Sequence, residues 1–445
     1  MTEGVIWKQL LKFFFPLLLG TFFQMLYNIV DTLIVGRCVG TTALSAVGGT
    51  AATLIFVFVG LFTGISSGAT VVTSQAFGAG RADEVSRAIH TGFGLAIAGG
   101  LLLTAVVVGF APMMLTALHT PADSLPESIT YLRIYGCGML FNMFFNMGSA
   151  VFQAVGDSRR PFYILVTATL TNIVLDVLLV AVVPLGVAGA AIATIFSQGV
   201  AAALVILTLI RTTEIYRLNL RKIRIDKEYL LKILHIGIPA AVQAIMFSFS
   251  NMLIQASVNT FGTVVVAGWA VTGKIESIYW MIVNSLGTSI TTFVGQNFGA
   301  GKMPRVYRGI RQALAITFTF ALIFCMTFYI GAPVFLNIFS TDPSVIKIGI
   351  LIERFFAPTY LTYVLIEILS GSLRGMGDAI VPTFISIFGI CVFRIAWLLL
   401  VVPMHHTVWT VSWSYPVSWS VTSAAYVIYF IYRYRRRKKA DRVEG

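Results

Sequence analysis

The chain has 445 residues, of which 57% are hydrophobic and only 11% charged, and it carries a net charge of +13. With a mean hydropathy of +0.87, it falls far outside the soluble range, and no long polar segment leaves room for a separate soluble domain. The basic balance would suit a nucleic-acid binder only if the charges formed a patch, and they do not.

Residues 13–36 form the first expected span. The run FFFPLLLGTFFQMLYNIVDTLIV is 23 residues long with one formal charge, enough to cross a hydrocarbon core of about 30 Å. It is too long for a signal-peptide core and has no small-residue cleavage site. Its charge is Asp31, and an acid inside a span is costly enough to imply a function. Gly20, Gln24, Asn28 and Asp31 step by four, four and three residues, which puts them on one helical face. That stripe is expected to face the protein or a water-filled cavity.

Further spans follow at 49–74, 89–111, 131–152, 161–183, 186–210, 236–260, 264–294, 309–332, 350–372, 382–402 and 408–432. Twelve spans put both termini on one side, and 25 of the 31 Lys and Arg fall on that side. This is the bias of cytoplasmic loops, so both termini are expected in the cytoplasm. The tail YRYRRRKKADR then anchors topology and can touch anionic lipid.

Two halves of the chain repeat. SQAFGAG (Ser74–Gly80) returns as GQNFGAG (Gly295–Gly301), and FQAVGDSRRP (Phe152–Pro161) returns as LRGMGDAIVP (Leu373–Pro382), both at one and the same offset along the chain. Pro16 lies twelve residues before Asn28, and Pro239 lies twelve before Asn251. Six spans per half preserve orientation, so the repeats are parallel. The expected fold is an all-α integral membrane protein of twelve transmembrane helices in two six-helix lobes. The lobes are 1–210 and 236–432, joined by a basic linker at 211–235 and followed by a basic tail at 433–445. The repeated glycines read as helix caps and tight turns.

Chemistry is expected where the halves differ. Asn172 and Asp176 are four apart on span 5, whereas the same offset in the second half brings Phe393 and Trp397. Span 6, GVAGAAIATIFSQ, adds Thr194 and Gln198 among small residues that permit close approach. Carboxylate, amide, hydroxyl and backbone oxygens suit a hard cation such as Na+. Two carboxylates close together in a low dielectric suit a proton equally well. The four cysteines have no metal spacing, and the adjacent His405 and His406 read as solvated residues of an outer turn. No phosphate loop, nucleophile with a base, or metal-ligand pattern is present, so neither an enzyme nor a bound cofactor is expected.

With YNIVDTLIVGRCVG in span 1, the paired Q-x-F-G-A-G turns and L-R-G-x-G-D after span 10, the chain resembles the MATE (multidrug and toxic compound extrusion) transporters of prokaryotic type over about residues 5–435. The resemblance implies a monomeric cation-coupled antiporter whose lobes rock around a cavity. It also implies a cation or proton site at Asp31, Asn172, Asp176 and Thr194 with the Ala190 carbonyl. Many relatives carry an acid early in span 7, where this chain has only Gln243 and Asn251. Glu276 and Glu367 are the remaining acids of the second lobe considered for the substrate cavity, with Gln24, Asn28, Gln243 and Asn251. Arg394 could instead neutralise either acid.

The expected function is export of amphipathic, often cationic, small molecules in antiport with Na+ or H+. The alternative within the same superfamily is a lipid-linked oligosaccharide flippase, which would need several cations around a pyrophosphate. Only Lys274 and Arg394 lie within spans, beside more acids.

Overall fold

The computed structural model describes residues 1–443, with side chains for all of these except Thr41 and 438–443. Residues 444–445 of the expected basic tail lie outside the described residues. In hydrocarbon every backbone N–H and C=O must be satisfied within its own segment, so an apolar chain of this kind resolves into helices. Twelve cross the membrane. They are α1 (Ile6–Cys38), α2 (Thr41–Gly48 continued as Thr50–Gly78), α3 (Ala82–Ala117), α4 (Leu125–Cys137 and Met139–Ala154), α5 (Arg159–Asp176 with a wider turn, Val177–Val182), α6 (Gly186–Arg211), α7 (Lys227–Val258), α8 (Thr263–Gly299), α9 (Met303–Phe339), α10 (Pro343–Gly375), α11 (Ile380–Ser386, Ile387–Val392 and Phe393–Leu400) and α12 (Val408–Val443). No strand occurs among the described residues.

Nine of the twelve are long and aliphatic enough to be recognised as spans by hydropathy alone. The other three have visible reasons for missing that mark. Gly138 breaks α4, α8 carries Lys274 and Glu276, and α12 spends its length on Ser, Thr, Tyr and Trp. Large apolar side chains such as Phe56, Leu102, Val174, Ile330 and Leu399 stand more than half exposed, as suits helices whose solvent is lipid.

The repeat is physical as well as textual. Gly80 and Gly301 sit at φ 71° and 70°, and Gly156 and Gly377 both at 87°. Each closes its helix with the same pair of bonds, from Gly80 N to Phe77 O and Arg81 N to Ala76 O in the first copy. Gly301 N to Phe298 O and Lys302 N to Asn297 O repeat them in the second. This is the left-handed glycine cap, which satisfies carbonyls that the helix end would leave bare.

Interhelical bonds repeat too. The Thr70 hydroxyl lies 3.1 Å from Ser66 O and 3.4 Å from Ala150 O, joining α2 to α4. Thr291, at the matching position of the second copy, makes the same fork to Gly287 O at 2.8 Å and Gly371 O at 3.1 Å, joining α8 to α10. Arg133 Nε donates to Val108 O, and Arg354 Nε to Tyr329 O, at the matching place. In the first copy α4 packs on α2, α3 and α6; in the second α10 packs on α8, α9 and α12.

By compactness the chain divides into Lys12–Ala241 and a second unit of Met1–Leu11 with Val242–Gly445. Both boundaries fall inside helices, α1 and α7. In the first unit Gly68 and Gly64 of α2 let the backbone of α7 come so close that an added Cβ would lie 2.3 Å from Ile233 O and 2.5 Å from Ala241 N. The linker is clamped there by Arg87, whose Nε donates to Asp226 at 2.9 Å and whose Nη2 donates to Glu228 at 3.2 Å. In the second unit Arg305 donates to the carbonyls of Met1, Glu3 and Gly4.

Alanine at Gly80, Gly301, Gly156 or Gly377 is expected to lower stability by about 1–2 kcal/mol, the cost of a Cβ in the left-handed region. Alanine at Gly60 or Gly109, which have open space around them inside helices, should raise it by about 0.5–1 kcal/mol. Thermal melting in detergent reads both.

The hydrogen bond from Arg87 above all, then the backbone N–H of Tyr229 and the Arg87 charge, hold the Asp226 carboxyl below its ordinary value of 3.8. Asp226 is therefore charged at all pH values above that value, and the clamp weakens only as pH falls through the lowered one. Limited proteolysis of the linker should be equally slow at pH 7 and pH 5. Arg87→Gln should speed it at both.

Candidate functional site

In the first unit the polar side chains of α1, α5 and α6 converge. Asp31 is 6% exposed, Asn172 1%, Asp176 0% and Thr194 1%. Asp31 Oδ1, both oxygens of Asp176 and both polar atoms of the Asn172 amide are buried without a hydrogen-bond partner among the described residues. Asp31 and Asp176 lie within electrostatic reach of each other, and Tyr27 and Tyr131 lie within reach of both. Buried polar atoms in native proteins are almost always paired, so a run of five unpaired ones, all but one of them oxygens, makes this cluster the candidate site.

Local chain geometry sets up this arrangement. Asp176 ends the regular part of α5, and the wider π turns of Val177–Val182 follow at once. Such turns widen the helix and are frequent at functional sites. On α6 the Thr194 hydroxyl donates to Ala190 O at 3.0 Å, so that carbonyl is already engaged once from within its own helix. Tyr27 OH reaches Thr194 Oγ1 at 3.4 Å, and Gln198 Nε2 donates to Tyr135 OH at 3.2 Å with Gln198 Oε1 left unpaired among the described residues. The three tyrosines Tyr27, Tyr131 and Tyr135 wall the cluster and were not among the residues the sequence pointed to. Tyr131 and Tyr135, four apart with rings 6.2 Å from each other, did offer a helical-spacing signal.

The stripe on α1 is only partly inward. Gly20 and Asp31 are buried, Tyr27 is half-buried, and Gln24 and Asn28 are exposed. The carboxylate oxygens of Asp31 and Asp176 with the amide oxygen of Asn172 match the donor set of a small hard cation, and two carboxylates match a proton equally.

The second unit holds its own acids. Glu276 Oε1 accepts from Tyr360 OH at 2.7 Å, and Glu367 Oε2 lies 3.5 Å from Tyr363 OH. Gly287 makes room for Glu367, since an added Cβ would sit 2.0 Å from its Oε1. Arg394 forms no ion pair with either acid among the described residues. Its Nε donates to Ser418 Oγ at 3.0 Å, and its guanidinium stacks 4.0 Å from the Tyr415 ring centroid. Lys274 is exposed and lies over Phe339. Gln243 is half-buried and Asn251 exposed. His406 lies against Phe261 and Thr260. No cluster of three His, Cys, Asp or Glu able to hold a metal occurs among the described residues.

Glu353 is the acid that sequence reasoning passed over. It is fully buried in α10, both carboxylate oxygens lack a partner among the described residues, and it lies within electrostatic reach of Glu276. The available signal was spacing: Glu353, Tyr360 and Glu367 recur every seven residues and so share one helical face. Glu353→Gln removes the charge and keeps the shape, so it should express and melt like the parent or slightly above it. Glu353→Lys buries an unpaired cation of greater length and should collapse the yield of folded protein by size-exclusion chromatography.

Comparison with known proteins agrees with this architecture. The sequence profile of the MatE family matches residues 16–178 and 239–399, one segment in each half. The probable multidrug resistance protein YoeA of Bacillus subtilis is 28% identical over 393 residues, 86% of this chain and 84% of that one. The probable multidrug resistance protein NorM of Thermotoga maritima is 27% identical over 401 residues, 86% and 83% of the two chains. A solved structure of an outward-facing multidrug resistance MATE family transporter of the MOP superfamily superposes with a TM-score of 0.91 at 20% identity, over 98% of both chains. With twelve membrane helices in two parallel repeats and a family match on both, this chain belongs to the MatE family, a family of transporters and not of enzymes.

Proposed function

We propose that the protein is a secondary active exporter of amphipathic, often cationic, small molecules, driven by inward Na+ or H+. Both termini lie in the cytoplasm, and the two repeats give access to each side of a bacterial plasma membrane in turn. The coupling ion binds at Asp31, Asn172, Asp176 and Thr194. The reading rests above all on the five buried polar atoms of Asp31, Asn172 and Asp176 that have no partner among the described residues. The similar proteins of Bacillus subtilis and Thermotoga maritima, named as probable multidrug resistance proteins, point the same way.

A coupling ion can drive transport only by binding the two access states unequally. An ion on Asp31 and Asp176 would do so by tying α1 to α5, since the carboxylates sit on those two helices. Organic cations suit the remainder, because acids among aromatic and Met side chains attract charge and adapt to varied apolar shapes. A flippase for lipid-linked sugars is less well supported. The cations inside its spans would need to be free, and here Arg394 is held by Ser418 and Tyr415.

Transport by proteoliposomes, with Na+ and pH gradients imposed separately, tests the proposal. One gradient should drive uphill export of a fluorescent organic cation and the other should not. Asp31→Asn should leave a folded protein and reduce gradient-driven export to background, and Asp176→Asn should do nearly the same. Glu276→Gln should change the order of preferred substrates. Export by the Asp31→Asn protein at the parental rate would remove the coupling role.

A further inference from the structure

We infer that the second repeat carries a binding groove for the phosphate of an anionic phospholipid, formed where α12 runs past the ends of α8 and α9. The groove has a volume of about 460 Å3, with Phe298, Tyr307, Phe430 and Tyr434 as its aromatic walls and Arg433, Arg436 and Arg437 as its cations. It lies entirely within one compact unit.

The cations are arranged for an anion. Arg433 is held by Asp378 at 3.1 Å, and Tyr429 OH donates to the same carboxylate oxygen at 2.6 Å. Arg437 stacks 4.8 Å from the Phe298 ring centroid, a placement that holds the plane of a guanidinium while its N–H groups point outward along the edge. Neither Arg436 nor Arg437 has a carboxylate partner among the described residues. Tyr307 and Tyr434 meet edge to face at 4.8 Å. Guanidinium forks seated beside tyrosines match the three oxygens of a phosphate, to which arginine binds in bidentate fashion.

The first repeat ends differently at the matching place. Phe77, Ser86 and Val155 hold there the positions of Phe298, Tyr307 and Met376, at the same offset that relates the repeated glycine turns. The chain leaves α6 at Thr212 and folds back, with Leu218 N bonded to Leu209 O and Leu218 fully buried. Tyr216 packs on Phe152 and receives a hydrogen bond from Arg160 at 2.7 Å. Asn219 N donates to Nε2 of His90, one turn beyond Ser86. The linker thus folds back onto α3 and α4 beside that corner. In the second repeat α12 continues as helix to Val443, with no fold-back of the kind that follows α6 among the described residues.

The choice of lipid over a soluble phosphate follows from the neighbouring surface. On the same helix Ile428 is 69% and Ile431 44% exposed, so an apolar, lipid-facing strip adjoins a cationic groove at the end of a span. Basic groups at such a boundary attract anionic headgroups. The inference rests on the cytoplasmic placement of this end proposed above. Its test does not require transport or orientation, so the two can fail separately.

The full chain, purified in a neutral detergent, is offered mixed micelles of equal phosphatidylglycerol and phosphatidylcholine, and retained lipid is counted by native mass spectrometry. The parent should retain phosphatidylglycerol in preference. Arg436→Gln with Arg437→Gln should cut that retention about tenfold, the scale set by losing charge-assisted hydrogen bonds. Arg435→Gln, on the same tail but outside the groove, should retain it as the parent does. Melting curves confirm that each variant is folded. Equal loss in Arg435→Gln would mean a diffuse charge effect and overturn the groove. Parental retention by the double variant would do the same, and displacement by inorganic phosphate or glycerol phosphate at the concentrations that suffice for phosphatidylglycerol would overturn the lipid.

Discussion

A carboxylate held away from water without a partner is the feature on which the rest of this structure depends. Removing an ion from water costs several kcal/mol even after the protein relaxes. Asp176 is fully buried with both oxygens unpaired among the described residues, and Asp31 is nearly so. Every neighbouring choice is consistent with keeping those groups ready for a small cation or a proton. The small residues of α6 bring Thr194 close, the widened turns of α5 begin directly at Asp176, and tyrosines close the walls. A packing role would have been met at lower cost by amides alone.

The scaffold around the site is one solution used twice. The same left-handed glycine, the same forked threonine bond and the same arginine-to-carbonyl contact appear at matching positions of the two copies. All three devices satisfy backbone carbonyls or tie one helix to the next, which is the obligation hydrocarbon places on any spanning chain. They are therefore indifferent to which ion or substrate is handled.

The repeats diverge where chemistry enters. The first places Asp31 and Asp176 near each other, with no basic side chain bonded to either among the described residues. The second places Glu276 and Glu353 near each other, with Tyr360 bonded to one of them and Arg394 stacked on α12 close by. The same divergence extends to the end of each copy, where one chain folds back and the other runs on as helix. A duplicated frame can vary at these points without disturbing the caps and forks that hold it.

Length, hydropathy and the spacing of Pro, Gly and acid residues were enough to establish twelve helices, a parallel repeat and the helix faces of Asp31, Asn172, Asp176 and Thr194. These properties are written into single helices, where periods of three and four residues and the cost of burying charge are local matters. Tertiary structure decided which faces meet. Gln24 and Asn28 share a face with Asp31 yet stay exposed, while Tyr27 turns toward Thr194. Glu353 and Arg354 are adjacent in the chain, but about 100° of helical rotation buries the acid and leaves the arginine exposed on Tyr329. Arg394 lies within electrostatic reach of Glu276, but its direct partners are a serine and a tyrosine ring of α12. Helix periodicity fixes an angle about one axis, and only the packing of neighbouring helices decides what stands opposite.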